Sequence, residues 1–169
     1  MGMQLIETIE VGSGGAASIE FTGIEGDGVD LLLVLSSRNT GTVSRIIYGQ
    51  FNSDTSNNYA WIYLQGDGAS VAASGSTPEN RFWFGRNSGG NATANTFGNS
   101  SLYVSNYTSS SAKSLSVDAV DENNGTTAYQ YLAANSWAGT SAITSIKIYC
   151  SSNSFAQYST ASLYKITAD

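Results

Sequence analysis

Val29 to Gln65 reads VDLLLVLSSR (29–38), NTGT (39–42), VSRIIYGQF (43–51), NSDTSNN (52–58) and YAWIYLQ (59–65). Three apolar runs alternate with two clusters of turn-forming residues, which is typical of consecutive antiparallel strands. Leu31 to Leu35 is apolar at every position, which predicts a strand covered on both faces. The third run alternates, so Tyr59, Trp61 and Tyr63 share one face and Ala60, Ile62 and Leu64 share the other.

The same rhythm continues on both sides of this stretch. Residues 4–11 and 16–24 flank the turn GSGG and predict a hairpin that leads into the central strands. Later strand-like runs centre on Phe82, Leu102, Leu115, Tyr131, Ile146 and Ala161. The pattern gives about ten strands and no helical stripe, so it predicts an all-β, single-domain antiparallel β-sandwich or jelly roll over residues 1–169.

Three segments interrupt the rhythm. Residues 66–80 have little to bury, which predicts a surface loop with at most a short strand at 69–73. Residues 86–99 are polar and glycine-rich, which predicts a long loop of the kind that is functional or held by a partner. The run that ends at Trp137 is expected to close with a short helical turn.

The composition predicts an exterior of hydroxyls and amides rather than charges. Charged residues make up 12% of the 169-residue chain, whereas Ser, Thr and Asn together make up about a third. The net charge of −6 and the pI near 4.4 argue against nucleic acid and anionic membranes as partners. No apolar run reaches the ~18 residues of a membrane helix, and no leader peptide is expected at the start.

Residue types that support common catalytic chemistry are scarce. The chain contains no histidine, which excludes Ser-His-Asp and Cys-His nucleophiles and histidine-containing zinc sites. Cys150 is the single cysteine, and we expect it to be a buried, inert thiol. No cofactor is expected.

Three groups of oxygen-bearing side chains are candidate sites. Asp118, Asp121 and Glu122 lie close together, but glycoside hydrolysis requires two acids that face one sugar, and a solvated turn is the preferred interpretation. Two loops carry the oxygen ligands that calcium uses, and neither matches an EF-hand: Asn52, Asp54 and Asn57 in the first, Glu25, Asp27 and Asp30 in the second. Turn chemistry is the preferred interpretation there too, so no metal site and no catalytic residue are assigned.

Large aromatic side chains leave three interpretations open. They suit a sugar-stacking platform, a core, or an interface with another protein subunit. The loop at 86–99 adds polar and aromatic residues. The interface candidates are Trp61, Tyr63, Trp83, Asn95, Phe97 and Trp137.

Several runs together resemble a family of tailed-bacteriophage virion proteins. They are LIETIEVGSGGAASIEFTGI (5–24), VDLLLVLSSR (29–38), FNSDTSNNYAWIYLQGDGAS (51–70), TANTFGNSSLYVSNY (93–107) and ITSIKIYCSSNSFAQYSTASLYKI (143–166). The similarity runs nearly end to end. It departs at EGDG (25–28), where the family often has a proline-tyrosine turn.

The resemblance implies a β-sandwich of a capsid decoration (cement) protein or of a tail-fibre or minor tail protein, with no catalytic residues. The expected function is therefore a non-enzymatic structural one. We expect a decoration subunit that binds the major capsid protein and other virion proteins and is assembled into the virion in the host cytoplasm. It would act as a homotrimer in which the loops near Ala69 and Ala92 grip neighbouring subunits. The alternative is a tail-fibre or baseplate module that binds host-surface glycans.

Overall fold

The computed structural model describes residues 2–124 and 127–168, and their regular secondary structure is entirely β. Twelve strands are present in these residues: β1 (Gly2–Glu10), β2 (Ser18–Thr22), β3 (Asp30–Ser37), β4 (Arg45–Phe51), β5 (Tyr59–Gly66), β6 (Val71–Glu79), β7 (Phe82–Asn87), β8 (Gly98–Val104), β9 (Lys113–Glu122), β10 (Ala128–Trp137), β11 (Ser145–Cys150) and β12 (Thr160–Thr167). The predicted all-β antiparallel sandwich is thus confirmed.

The strands form two antiparallel sheets that enclose one apolar core. The large sheet has the order β1-β12-β3-β8-β9-β10-β5-β6, and the small sheet has the order β2-β11-β4-β7. In strands such as β3, β9 and β10 alternate residues point inward, whereas the edge strands β1 and β6 have no buried residue. Leu33, Leu102 and Val117 enter the core from the large sheet, and Phe21 and Ile148 enter it from the small sheet. No described segment forms a helix long and apolar enough to cross a membrane.

The predicted hairpin of the first two strands is wrong. β1 pairs with β12 in the large sheet, and β2 pairs with β11 in the small sheet. The link between them crosses the end of the sandwich, where Val11 and Ala16 donate backbone hydrogen bonds to Ser159 and Phe155. The three runs of residues 29–65 do form strands, but consecutive ones lie in different sheets: β3 and β5 in the large sheet and β4 in the small sheet. Period-two patterning identifies the inward face of a strand and says nothing of its pairing partner.

β3 is covered on one face only, contrary to prediction. Leu31, Leu33 and Leu35 are buried, whereas Leu32 is half-buried and Val34 is 41% exposed. Both neighbours of β3 lie in the same sheet, and the small sheet covers only the inner face of that sheet. The outward-facing residues of this apolar strand therefore remain in contact with solvent.

Two further local predictions are wrong. Residues 71–79 form edge strand β6, which pairs with β5, so the strand expected at 69–73 extends through most of the predicted surface loop. Backbone hydrogen bonds hold this strand, and its side chains bury little surface, so the period-two signal was weak. Near Trp137, β10 stays extended to its last residue and no helical turn forms, because each residue from Gln130 to Trp137 pairs on both sides, with β9 and β5.

Candidate functional site: the outer face of the large sheet

The outer face of the large sheet carries large aliphatic side chains in contact with solvent. Ile62 is 65% exposed, Leu64 53% and Leu132 52%. Ala73 and Ala134 are exposed beside them. We call these five residues the outer apolar patch. Single exposed apolar residues are ordinary on protein surfaces, but a contiguous group marks a binding site more often.

The strand register makes these residues neighbours. Leu132 lies opposite Leu64, which lies opposite Ala73 on the next strand. Ala134 lies opposite Ile62, which lies opposite Gly75. Residues directly opposite in antiparallel strands have Cβ atoms about 4.5–5.5 Å apart. The five side chains therefore form two adjacent rows across β10, β5 and β6.

Two adjoining depressions follow these rows. One has a volume of about 640 Å³ and is lined mainly by the outer apolar patch with Ser74 and Ser116. The other, of about 630 Å³, lies toward Thr77 and Ser136, and the two share Ile62 and Ala134. Aliphatic side chains surrounded by serine and threonine hydroxyls resemble the apolar centre and polar rim of a protein–protein interface.

Four of the predicted interface residues point the other way, into the sandwich. Trp83 and Trp137 are buried, and Trp61 and Tyr63 are partly buried against the core. The Tyr63 ring stacks on Trp83 with centroids 4.9 Å apart and on Trp61 with centroids 6.0 Å apart. The larger aromatic side chains of β5 thus occupy the core, and the aliphatic side chains that alternate with them face solvent. The sequence assigned these two faces correctly but gave no sign of which one meets solvent.

Trp137 also anchors a loop. Its indole Nε1 donates a hydrogen bond of 2.8 Å to Asp54 Oδ2, and Asn58 Nδ2 donates to the same oxygen at 3.0 Å. Burial acts to raise the pKa of Asp54, but these hydrogen bonds and those from Ser56 outweigh it and lower the pKa to about 2. Asp54, one of the candidate calcium ligands, therefore serves as a structural acceptor.

The other predicted interface residues, Asn95 and Phe97, lie in the segment between β7 and β8. Asn95 is exposed in a left-handed conformation, and Phe97 is half-buried. Arg38 Nη1 donates to the carbonyls of Thr93 and Thr96 at 3.0 and 2.8 Å. Glu122 accepts hydrogen bonds from Thr93 N and Thr93 Oγ1. The segment is therefore fastened to the body of the sandwich and carries Asn95 on its surface.

The three clustered carboxylates have separate surroundings. Asp118 is exposed and accepts a hydrogen bond of 2.6 Å from Gln130 Nε2. Asp121 is buried and accepts hydrogen bonds from the hydroxyls of Ser44 and Ser88. Glu122 holds the segment after β7. All three residues lie in strand β9 and Asp121 is buried, so the predicted solvated turn is wrong. Each carboxylate accepts hydrogen bonds that hold the fold.

The two loops proposed for calcium are held by their own hydrogen bonds. Asn52 Oδ1 accepts from Thr144 N at 2.8 Å, and Asn52 Nδ2 donates to Ala142 O at 2.8 Å. In the other loop Asp27 forms an ion pair with Lys165. Within residues 2–124 and 127–168, no three His, Cys, Asp or Glu side chains are grouped closely enough to hold a metal ion.

A polar cleft of about 380 Å³ lies between the end of β9 and the start of β4, lined by Arg45, Gln65, Arg86, Asn123 and Tyr129, among others. Arg86 Nε donates to Ser44 Oγ at 3.2 Å. Arg45 Nε and Asn123 Oδ1 are buried there without a hydrogen-bond partner among the described residues. Guanidinium and amide groups beside a tyrosine ring suit a polar ligand.

The lone cysteine is buried, as predicted. Asn87 Nδ2 donates a hydrogen bond of 3.3 Å to Cys150 Sγ. Burial raises the pKa of the thiol to about 11, which leaves almost no thiolate at neutral pH.

The chain matches no protein-family model and no curated protein.

Proposed function

We propose that this protein is a non-enzymatic structural protein of a tailed-bacteriophage virion, a decoration subunit that attaches to the capsid shell through the outer apolar patch. The observation that carries the proposal is the solvent exposure of Ile62, Leu64 and Leu132 in adjacent rows. Apolar side chains grouped in this way gain free energy when a partner removes them from water, at about 25 cal/mol per Å².

The size of the patch suits the centre of an interface. Three strands about 4.8 Å apart and two rows about 7 Å apart give a projected area of only about 100–200 Å². A stable interface buries about 800 Å² on each partner, so the surrounding serine and threonine residues must form most of the contact. A hydroxyl-rich rim around an aliphatic centre has the polarity of a typical subunit interface.

The direction of the aromatic rings favours a protein partner over a glycan at this face. Sugar rings stack on exposed aromatic faces, and Trp83 and Trp137 are buried in the core. The patch residues Ile62, Leu64 and Leu132 offer neither rings nor hydrogen-bonding groups. Tyr103, an exposed ring on the same face, lies two strands away from β10 on β8, and its hydroxyl donates a hydrogen bond to Asp30.

The virion assignment is supported by the resemblance in sequence and by the surface chemistry. A particle protein must resist aggregation, and a composition rich in hydroxyls and amides with only 12% charged residues suits that requirement. Symmetric assembly is usual for such subunits, and a trimer matches a local three-fold axis of a capsid. The partner would be the major capsid protein.

Copy number on the particle tests the proposal. Quantitative mass spectrometry of purified phage particles that contain this protein should give hundreds of chains per particle. A handful of chains would contradict the decoration role and favour the tail.

A matched pair of variants tests the attachment face. Leu132→Lys places a charge in the outer apolar patch and should abolish binding to undecorated shells. Thr22→Lys places the same charge on an exposed position of the small sheet and should leave binding unchanged. Equal binding by both variants would show that another surface makes the contact.

The polar cleft favours one alternative function, a tail-fibre or baseplate module that binds host-surface glycans. Its amides, its guanidinium groups and Tyr129 are the groups that recognise a polar ligand. A glycan array with purified protein checks this alternative. Binding that is lost in Arg45→Ala and kept in Leu132→Lys would support it.

A further inference from the structure

Strand β6 is an exposed edge of the large sheet. It pairs with β5 on one side only, and its side chains are exposed along almost the whole strand. Val71 at its start is 78% exposed. The free side of such a strand presents a row of unpaired N–H and C=O groups, which is a template for pairing with another strand.

The opposite edge of the same sheet is protected, and β6 is not. β1 has a bulge between Leu5 and Glu7, and it carries the charges of Glu7 and Glu10. Natural edge strands are commonly blocked by charges, bulges or proline. From Val71 to Thr77 β6 has no charge and no proline, and its bulge and Pro78 lie at its far end. The bulge takes in Thr77 and Pro78, so the free edge of β6 has six consecutive residues in regular register, Val71 to Ser76.

We propose that β6 pairs antiparallel with β6 of a second copy of this chain, across a two-fold axis at Ser74. The axis must stand perpendicular to the sheet, because only that orientation keeps the outer faces of both copies on the same side. Residues that lie opposite each other then point to the same face. This places Ser74 opposite its own counterpart, Ala73 opposite Gly75, and Ala72 opposite Ser76.

Side-chain size and charge both favour a second copy as the occupant. The paired residues are alanine, serine and glycine at the centre of the seam, so two flat edges approach without steric conflict. The chain has a net charge of −6, yet no ionised side chain lies within residues 71–77. Two identical edges therefore meet without like charges directly opposite each other, which would destabilise a seam.

The contact would enlarge the surface described above. Ala73 belongs to the outer apolar patch, and its opposite residue in the seam, Gly75, lies on the same outer face. Pairing at β6 would join the patches of two copies into one continuous apolar surface. Because the contact is isologous, it forms dimers and is separate from any three-fold contact. It does not depend on a virion role, so its test and that of the proposed function can fail independently.

Disulfide trapping tests both the contact and its register. The only native cysteine is buried, so an introduced thiol reports on its own position. Directly opposite Cα atoms in an antiparallel pair are about 4.5–5.5 Å apart, within the range that a disulfide spans. Ser74→Cys should therefore form a covalent dimer under mild oxidation, at twice the 17.7 kDa of the chain.

Val71→Cys is the matched control, since it lies on the same exposed edge. Its counterpart across the axis is six residues away, about 20 Å, so this variant should cross-link at least about tenfold more slowly than Ser74→Cys. A mixture of Ala72→Cys and Ser76→Cys should cross-link rapidly, because these positions lie opposite each other.

Three results would overturn the proposal: equal rates for Ser74→Cys and Val71→Cys, no covalent dimer from Ser74→Cys, or a wild-type protein that sediments as a monomer at all concentrations. The last two would also be seen if the edge receives an extended segment of another protein.

Discussion

Replacing Trp137 with phenylalanine tests whether the aromatic core is tied to the loop after β4. The substitution keeps an aromatic ring next to Phe51, whose centroid lies 5.4 Å from that of Trp137. It removes the indole N–H that donates to Asp54 at 2.8 Å. Trp83→Phe is the matched control, because Trp83 is equally buried and its Nε1 has no hydrogen-bond partner among the described residues.

The two variants should differ by about 2 kcal/mol in the free energy of unfolding. Trimming an indole to a phenyl ring in a core costs about 1–2 kcal/mol in each case. A hydrogen bond to a carboxylate is worth about 1.5–3 kcal/mol when shielded, and we take about 1 kcal/mol because Asp54 is partly exposed. Removing a buried, unpaired N–H returns about 1 kcal/mol in Trp83→Phe. Trp137→Phe should therefore lose about 2–3 kcal/mol and Trp83→Phe between 0 and about 1 kcal/mol.

Urea unfolding at pH 7 measures these losses, and the acid side gives a second readout. The pKa of Asp54 is about 2 in the folded protein and 3.8 as its ordinary value, so its stabilisation is complete above pH 3.8 and declines as the pH falls through 2. Trp137→Phe should weaken this decline, and Trp83→Phe should leave it unchanged. Equal losses at pH 7 with identical acid profiles would refute the reasoning.

Three further predictions concern the core. Gly49→Ala should destabilise the fold by at least about 1–3 kcal/mol in thermal unfolding, because the added Cβ would lie 2.2 Å from Phe82 Cζ. Gly66→Ala is the control, since its added Cβ enters open space, and it should cost under about 1 kcal/mol. Lys113→Met should lower the free energy of unfolding in urea by about 2 kcal/mol, because Lys113 Nζ donates to the carbonyls of Ser109, Ser111 and Ser141. Unchanged stability would show that these hydrogen bonds contribute nothing. Cys150 should resist a thiol reagent at pH 8 and react fully in urea, because burial raises its pKa to about 11; rapid labelling of the native protein would contradict this.

The strands could be predicted because period-two alternation is a local property. Leu115, Val117 and Ala119 alternate with polar residues, and all three are buried as expected. The pairing of strands is not local. Nothing in the residues of β1 indicates that its partner is β12, more than 140 residues away. β6 was hardest to predict, because a strand held by backbone hydrogen bonds leaves little trace in its side chains.

The candidate site was missed for a related reason. Strand β5 carries apolar residues on both faces, so alternation alone does not tell which face is buried. The choice follows from volume, because Tyr59, Trp61 and Tyr63 fill the space between the sheets and leave Ile62 and Leu64 outside. A rule that the bulkier face of a two-faced strand enters the core would have identified the outer apolar patch.

A reconstruction of the virion at a resolution that resolves β-sheets tests the central claim most directly. We predict density for this sandwich on the capsid shell, with the outer face of the large sheet covered by shell protein and Leu132 in the contact. Density in which this face points to solvent while another surface meets the particle would contradict the account.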